Sequence, residues 1–303
     1  MTEILIPDEV SPQPVKNFLK SQGFSANYWK KAKFSGTFRC NGELISHPAR
    51  LTIKGGDLIS WKLSEHTDII PEDIPISISY EDDFLLSVDK PAGQLVHPTG
   101  HEVTGTLANA VLGYYRRKGF SHAYHPIHRL DRNTTGLLLI AKHAYIHHQL
   151  SPKGKKLFHR EYIALVSGIM EEKKGTIDSP IARDMTSIIK RKSSAEGNPA
   201  ITHFKVIAEF NNMSLLWIRL ETGRTHQIRV HLSSIGHPLI GDDLYGGNHE
   251  LLSRQALHAA HISFVHPITK KAVNIFSSVP KDIAFLLPKN LQETLFCEIS
   301  KNI

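Results

Sequence analysis

The chain has 303 residues, 41% hydrophobic and 21% charged, enough for a large core plus a small second domain and too apolar for wholesale disorder. A formal charge of +7 and a pI of about 9.3 point to a polyanionic partner. Two distant cysteines, Cys40 and Cys297, exclude a disulfide framework and a zinc-thiolate site, and without a leader peptide or a bilayer-length apolar run the expected setting is cytoplasmic, with no membrane.

Residues 14–27 begin as a helix, because Val15, Phe18 and Leu19 share one face and Gly23 stops it. Ser25 is the expected N-cap of a second helix carrying Tyr28, Trp29, Lys30, Lys31 and Lys33. A strand over residues 36–40 runs into an Asn41-Gly42 turn, and Gly55-Gly56-Asp57 precedes a short strand over residues 58–63. This helix-helix-strand-turn-strand order resembles an S4-type RNA-binding module, which implies that Lys30, Lys31 and Lys33 contact RNA. The arginine-rich start common in that module is absent, and a small α+β cap with a solvated lysine face fits the same pattern. Residues 64–79, with Pro71, Pro75 and several acidic groups, read as a linker between domains spanning 1–63 and 80–303.

The large domain opens with a charged turn at Glu81-Asp82-Asp83, an apolar strand from Phe84 to Val88, and Lys90-Pro91-Ala92-Gly93. Residues 104–119 form the next expected helix, with Leu107, Ala110, Val111 and Tyr114 on it. Then comes His128-Arg129-Leu130-Asp131-Arg132-Asn133-Thr134-Thr135-Gly136, followed by Leu137-Leu138-Leu139-Ile140-Ala141. An uncharged apolar run of this kind reads as a strand buried on both faces, and a polar loop held by such a strand is a common seat of catalysis. Arg129 and Arg132 flank Asp131 and favour its ionised form. From the residues alone Asp131 is a turn cap, an arginine partner, a nucleophile, a base or a metal ligand.

Residues 143–150 suggest a helix with His143 and His147 four apart on one face. The glutamate of a helical zinc hydrolase is missing, so no metal is expected. Lys153-Gly154-Lys155-Lys156 is a basic turn, open to solvent or to a phosphate backbone. Residues 160–168 alternate as a strand with Tyr162, Ala164 and Val166 on one face, which makes Tyr162 a core tyrosine. Residues 175–192 read as a long hairpin or insert whose Lys190, Arg191 and Lys192 are placed to grip phosphates. Strands over 202–208 and 214–220 meet at Asn211-Asn212. In the segment that follows, Ile228, Leu232 and Ile235 give a helical stripe, Thr225 is the expected N-cap, and Gly236 with Pro238 ends the helix. Arg224 then stands at the positive end of that helix, which is unfavourable unless an anion faces it.

His128-Arg129-Leu130-Asp131 with Thr134-Thr135-Gly136 and an apolar strand resembles the signature loop of the RluA-type pseudouridine synthases. The Lys90-Pro91-Ala92-Gly93 strand, the Tyr162 strand, Gly223-Arg224-Thr225-His226-Gln227-Ile228-Arg229, Gly241-Asp242-Asp243-Leu244-Tyr245-Gly246 and Leu257-His258-Ala259 follow in that family's order, so the resemblance covers about residues 80–285. Three positions depart: Asn133 where an acidic residue is usual, Thr135 where serine is, and Asp89 where asparagine is common. The element order fits an α+β fold: a mixed, largely antiparallel sheet with flanking helices and an active-site cleft, plus the small N-terminal α+β module.

The resemblance implies an isomerase that turns uridines of folded ribosomal RNA or tRNA into pseudouridine, with no cofactor, no metal and no obligate protein partner. It makes Asp131 the catalytic residue, Arg224 its ionic partner and Tyr162 the ring that packs on the uracil. Arg129, His128 and Ile228 are expected at the substrate, Arg129 either holding the loop or opening the RNA. Attack at C6, attack at C1′ and a glycal route stay open. Two other classes compete. An RNA-binding module without turnover is disfavoured by the presence of Asp131. A glycoside hydrolase is disfavoured because Asp131 has arginines, not a second carboxylate, as its motif neighbours.

Overall fold

A computed structural model describes residues 2–24, 26–63, 67–152 and 156–292. The expected cap Ser25, most of the basic turn (Lys153-Gly154-Lys155) and Cys297 lie outside the described residues. The N-terminal module comprises β1 (Thr2–Leu5), β2 (Gln13–Pro14), α1 (Val15–Ser21), α2 (Ala26–Lys33), β3 (Arg39–Cys40), β4 (Glu43–Leu44), β5 (Thr52–Ile53) and β6 (Leu58–Trp61). Helix α1 buries Val15, Phe18 and Leu19, and Gly23 at φ 82° supplies the left-handed residue after it. Helix α2 turns Tyr28, Trp29 and Ala32 inward, which leaves Lys30 and Lys31 exposed. Asn41 and Gly42 both have positive φ, the pair a two-residue hairpin between β3 and β4 needs.

The segment from residue 67 onward lies against the large domain. Asn109 Nδ2 donates to Ile70 O at 2.9 Å, Glu72 N to Asn109 O at 3.0 Å, and the Glu72 carboxylate accepts from Gly105 N. The expected linker ends sooner than residue 79: Ser77 already belongs to β7 (Ser77–Glu81), an edge strand paired antiparallel with β8 (Leu85–Lys90). The polar alternation Ser77-Ile78-Ser79 reads as loop in a Pro-rich context, but it is what a half-exposed edge strand requires.

The remaining elements are α3 (Leu107–Arg117), β9 (His125–Pro126), β10 (Thr135–Ala141), α4 (Ala144–Leu150), β11 (Phe158–Ser167), β12 (Lys174–Asp178), β13 (Ile181–Arg183), β14 (Arg191–Ser193), β15 (Ile201–Phe210), β16 (Met213–Leu220), α5 (Gln227–Ser234), β17 (Leu257–Val265), β18 (Ala272–Phe276) and α6 (Lys281–Ala284). The large sheet runs β12-β15-β16-β11-β17-β10-β8-β7, with β18 beside β17 and β9 beside β10. Among the described residues its strands pair antiparallel except β10 with β17, so the fold is mixed and largely antiparallel α+β. Asn211 and Asn212, both left-handed, close the β15–β16 hairpin.

Strand alternation gives the sheet two apolar faces. Leu138 and Ile140 of β10 and Tyr162, Ala164 and Val166 of β11 join α3 and α5 residues such as Val111, Ile228 and Leu232 in one core. Leu137, Leu139 and Ala141 face the other way, where they meet α4 and the N-terminal module. There Phe24 stacks on Tyr145 at 4.7 Å and Tyr28 meets the same ring edge-on at 5.8 Å. All seven β10 residues are buried, and each large aliphatic side chain contributes roughly 1.5–3 kcal/mol by leaving water. The loop that precedes β10 is therefore mounted on the most deeply held strand of the sheet. Among the described residues no helix is long and apolar enough to cross a membrane.

Candidate active site

Asp131 sits on the loop between β9 and β10, and several buried groups hold that loop by its backbone. Gly136, second in β10, has φ 106°, and a Cβ there would stand 2.3 Å from Ala259 O, so only glycine lets β10 and β17 approach in parallel. Lys90 is fully buried and donates to Pro91 O, Gln94 O and Arg132 O at 2.7, 2.9 and 2.8 Å. Three acceptors match the three N–H groups of an ammonium. Burial pushes the Lys90 amine down to about 7, and the Asp131 carboxylate is the largest influence in the other direction. From the far side Arg254, bidentate to Asp282 at 2.7 and 2.9 Å, donates to Asn133 O, and Gln255 donates to Thr134 Oγ1. The backbone is clamped while the Asp131 side chain, half-buried, faces a cleft.

The arginine at this carboxylate is Arg229. Its Nη1 lies 3.5 Å from Asp131 Oδ2, while Nε and Nη2 bind Asp242 Oδ2 and Oδ1 at 2.7 Å each. Asp242 is fully buried, and the guanidinium lies 5.0 Å over the Tyr245 ring. Burial presses on the Arg229 charge, but hydrogen bonds and charge from Asp242, with a further contribution from Asp131, raise its pKa above the ordinary value. Arg224, expected as the partner of Asp131, is exposed, and its Nε donates instead to Pro199 O at 2.9 Å. The reason is where the helix starts. Thr225 is not its cap: His226, left-handed at φ 57° and ψ 21°, takes that place, and α5 begins at Gln227. Gln227 accepts from Thr222 Oγ1 and Arg224 N and donates to Ile201 O, which ties the preceding loop to β15. Helical side chains tilt toward the N-terminus, so Arg229, one turn in, reaches back over Asp131 while Arg224 stays on the rim.

Leu130, Tyr162, Leu220 and Ile228 supply apolar walls to the cleft, and Arg129, Arg160, Arg224 and His226 line it with Asp131 and Arg229. Tyr162 is both a core tyrosine and a cleft residue; burial raises its pKa, against the lowering charge of Arg160. Arg129 and Ile228, expected at the substrate, line the cleft. His128 does not. It is buried behind the loop, its Nε2 accepting the Leu139 amide at 3.2 Å and its ring 5.5 Å from Phe158. Burial, with Arg160 and Lys156 adding positive charge, holds it well below the usual histidine pKa, so it is a neutral acceptor within the fold and not a wall of the cleft.

Lys190, Arg191 and Lys192 lie at the end of the β13–β14 hairpin, which packs beside α5; the Arg191 amide donates to Tyr245 Oη at 2.9 Å. Lys30, Lys31 and Lys33 belong to α2, on the sheet face opposite the cleft. His143 precedes α4 and stacks on Tyr145, whereas the ring of His147 faces His125 at 6.5 Å. Among the described residues no three His, Cys, Asp or Glu side chains gather as a metal site. The Thr-His-Gln-Ile-Arg and Gly-Asp-Asp-Leu-Tyr-Gly runs stand out in the sequence, but the roles of His226, Arg229, Asp242 and Tyr245 emerge only in the fold.

A family described as RNA pseudouridylate synthase matches residues 84–234, which include Asp131, Tyr162 and Arg229. The uncharacterized RNA pseudouridine synthase YjbO of Bacillus subtilis (strain 168) is 38% identical over 278 residues, 90% of this chain and 98% of that protein. Ribosomal large subunit pseudouridine synthase D of Zymomonas mobilis subsp. mobilis is 42% identical over 234 residues, 71% of this chain and 73% of the relative. Among solved structures, human RNA pseudouridylate synthase domain containing 1 superposes with a TM-score of 0.54 at 25% identity, over 67% of this chain and 83% of that one. Identity of 38–42% across most of the length of such relatives, on a matching fold, places the chain in the RluA-type family of RNA pseudouridine synthases, and it is an isomerase of that kind.

Proposed function

We propose that the chain converts particular uridines of ribosomal RNA to pseudouridine, with Asp131 as the reacting residue. The observation that carries this reading is the Asp131 carboxylate itself: half-buried between apolar walls, on a clamped loop, held through one oxygen by Arg229. Ribosomal RNA is favoured because relatives are named as ribosomal large subunit synthases. The reaction breaks the N1–C1′ bond, turns the base, joins C5 to C1′ and moves the C5 proton, so no atom or electron enters or leaves. Attack at C6, attack at C1′ and a glycal route all start from this carboxylate.

Tyr162 and Ile228 offer the packing surface for the uracil ring. A buried phenol held neutral suits packing better than accepting the C5 proton. Arg129, exposed at the rim, serves to hold the RNA open around the flipped nucleotide, whose unstacking costs a few kcal/mol and favours loops over perfect duplex. Lys190, Arg191 and Lys192, with the α2 lysines, bind phosphates. The N-terminal module acts in this reading as an S4-like RNA-binding unit.

The test is to map pseudouridines in total RNA from a deletion strain complemented with nothing, with the wild-type chain or with Asp131→Asn. One or a few ribosomal RNA sites should vanish on deletion and return only with the wild type. Sites lost from tRNA instead would move the substrate there. Restoration by Asp131→Asn would remove Asp131 from the reaction.

A further inference from the structure

His226 is one of five non-glycine residues at positive φ among the described residues, and three of the other four are asparagines in turns. A histidine there is held by its surroundings, since the left-handed region crowds the Cβ of an L-residue against its own backbone. Two contacts hold its ring. Nδ1 is 2.9 Å from Tyr245 Oη, and Nε2 is 4.0 Å from Asp131 Oδ2.

The heavy-atom geometry accommodates one ordered chain of protons. Tyr245 Oη accepts the Arg191 amide at 2.9 Å and keeps one proton to donate; we assign that proton to its other neighbour, His226 Nδ1, at 2.9 Å. A neutral imidazole whose Nδ1 accepts carries its hydrogen on Nε2, the nitrogen that faces Asp131. Burial, together with the charges of Arg229 and Arg191, keeps the imidazole below its ordinary pKa against the pull of Asp131 and Asp242. Arg229 Nη1, at 3.5 Å, approaches the same oxygen of Asp131, Oδ2. Both donors converge on Oδ2. Apo contacts of this kind are often long and tighten when substrate closes the site.

We propose that His226, fixed in its Nε2–H tautomer by Tyr245, is a positioning residue for Asp131: with Arg229 it holds Oδ2 and leaves Oδ1 as the oxygen presented to the nucleotide. The proposal rests on Asp131 being the reacting residue.

The experiment measures the single-turnover rate at saturating RNA, RNA affinity and thermal unfolding for variants of the full chain. His226→Ala should lose roughly 10- to 100-fold in rate, the reduction expected for one hydrogen bond to a charged group, with affinity within about twofold of wild type. His226→Gln, whose amide N–H reaches the Nε2 position, should recover most of that rate; His226→Asn, whose amide reaches only Nδ1, should not. Tyr245→Phe keeps the ring over Arg229 and removes the hydroxyl. It should slow the wild type several-fold, yet add nothing to His226→Ala, because a residue acting through His226 has nothing left to act on. Wild-type rates in His226→Ala would overturn the proposal. So would equal rescue by Asn and Gln, or a Tyr245→Phe effect that adds in full. Asp131→Asn is run alongside: if it turns over, the reading of Asp131 has failed, whatever the His226 variants do.

Discussion

Arg229 gives its bidentate edge to Asp242 at 2.7 Å and a single nitrogen, at 3.5 Å, to Asp131. One arginine thus serves two carboxylates of different character. The buried Asp242 fixes the plane of the guanidinium, and Nη1 is aimed by that plane at a carboxylate that must stay accessible. A lysine could not do both, because an ammonium has no fixed fork.

The two arginines of the Arg224 to Arg229 segment should therefore separate in their effects. Arg229→Lys is expected to lower the single-turnover rate by about 100-fold or more, in the range seen when a preorganised donor is removed. Arg224→Ala should keep the rate at saturating RNA within several-fold and weaken binding, as befits an exposed cation on the rim. Rapid isomerisation and stopped-flow binding on the same RNA report the two quantities. The opposite pattern would return Asp131 to Arg224.

Asp242→Asn tests the hidden half of the pair. Removing one partner of a buried, bidentate ion pair costs about 3–5 kcal/mol, because the remaining charge is left uncompensated. The variant should melt well below the wild type and turn over poorly. Adding Arg229→Met should recover much of the stability, since no buried charge then remains, but none of the turnover. If stability and activity return together, Arg229 is structural only.

How far the sequence reveals this site depends on which contacts are local. Leu137 to Ala141 announce a buried strand, Tyr162, Ala164 and Val166 alternate as they pack, and Asn211-Asn212 marks a hairpin that the structure closes with two left-handed residues. Helix α5 begins later than its periodicity suggests because nothing in the sequence marks His226 as left-handed; glycine or asparagine is the usual sign. That small shift moves the ionic partner from Arg224 to Arg229. His128 reads as a polar substrate contact beside Asp131, but its ring turns inward to accept the Leu139 amide, a contact across eleven residues that no periodicity encodes. The three carbonyls around Lys90 come from two separate stretches of chain and are equally invisible until folded.

His128 yields a prediction in pH. Its Nε2 accepts a backbone hydrogen bond only while unprotonated, and burial depresses its folded-state pKa well below 6.5. Below pH 6.5 the unfolded chain therefore binds a proton that the folded chain refuses. The contribution to stability is complete above the unfolded value and falls away as pH drops, by up to about 1.4 kcal/mol per pH unit. His128→Gln keeps an acceptor for Leu139 and cannot titrate. Urea unfolding at pH 7.5, 6 and 5 should show the two proteins converging as pH falls, with other histidines cancelling in the difference. Parallel stability curves would place the titration elsewhere.

The lysines of α2 test how far the RNA footprint extends. They lie on the sheet face opposite the cleft, so an RNA bound at Asp131 that also reaches Lys30 and Lys31 must wrap past an edge of the sheet. Truncating the module is a poor test, because Phe24 and Tyr28 share a core with Tyr145 and their removal would expose Leu137 and Leu139. Charge removal is cleaner. Lys30→Ala, Lys31→Ala and Lys33→Ala together should leave the fold intact, since Lys30 and Lys31 are exposed and Lys33 only lies over the Phe34 ring. For every phosphate that such a change releases, the slope of log K against log salt should fall by roughly 0.7 on single-stranded RNA. The same triple change at Lys190, Arg191 and Lys192 should reduce it similarly, and neither set should alter the rate at saturating RNA by more than a few-fold. A slope that falls only for the hairpin set would confine the footprint to the cleft side and leave the N-terminal module a structural cap.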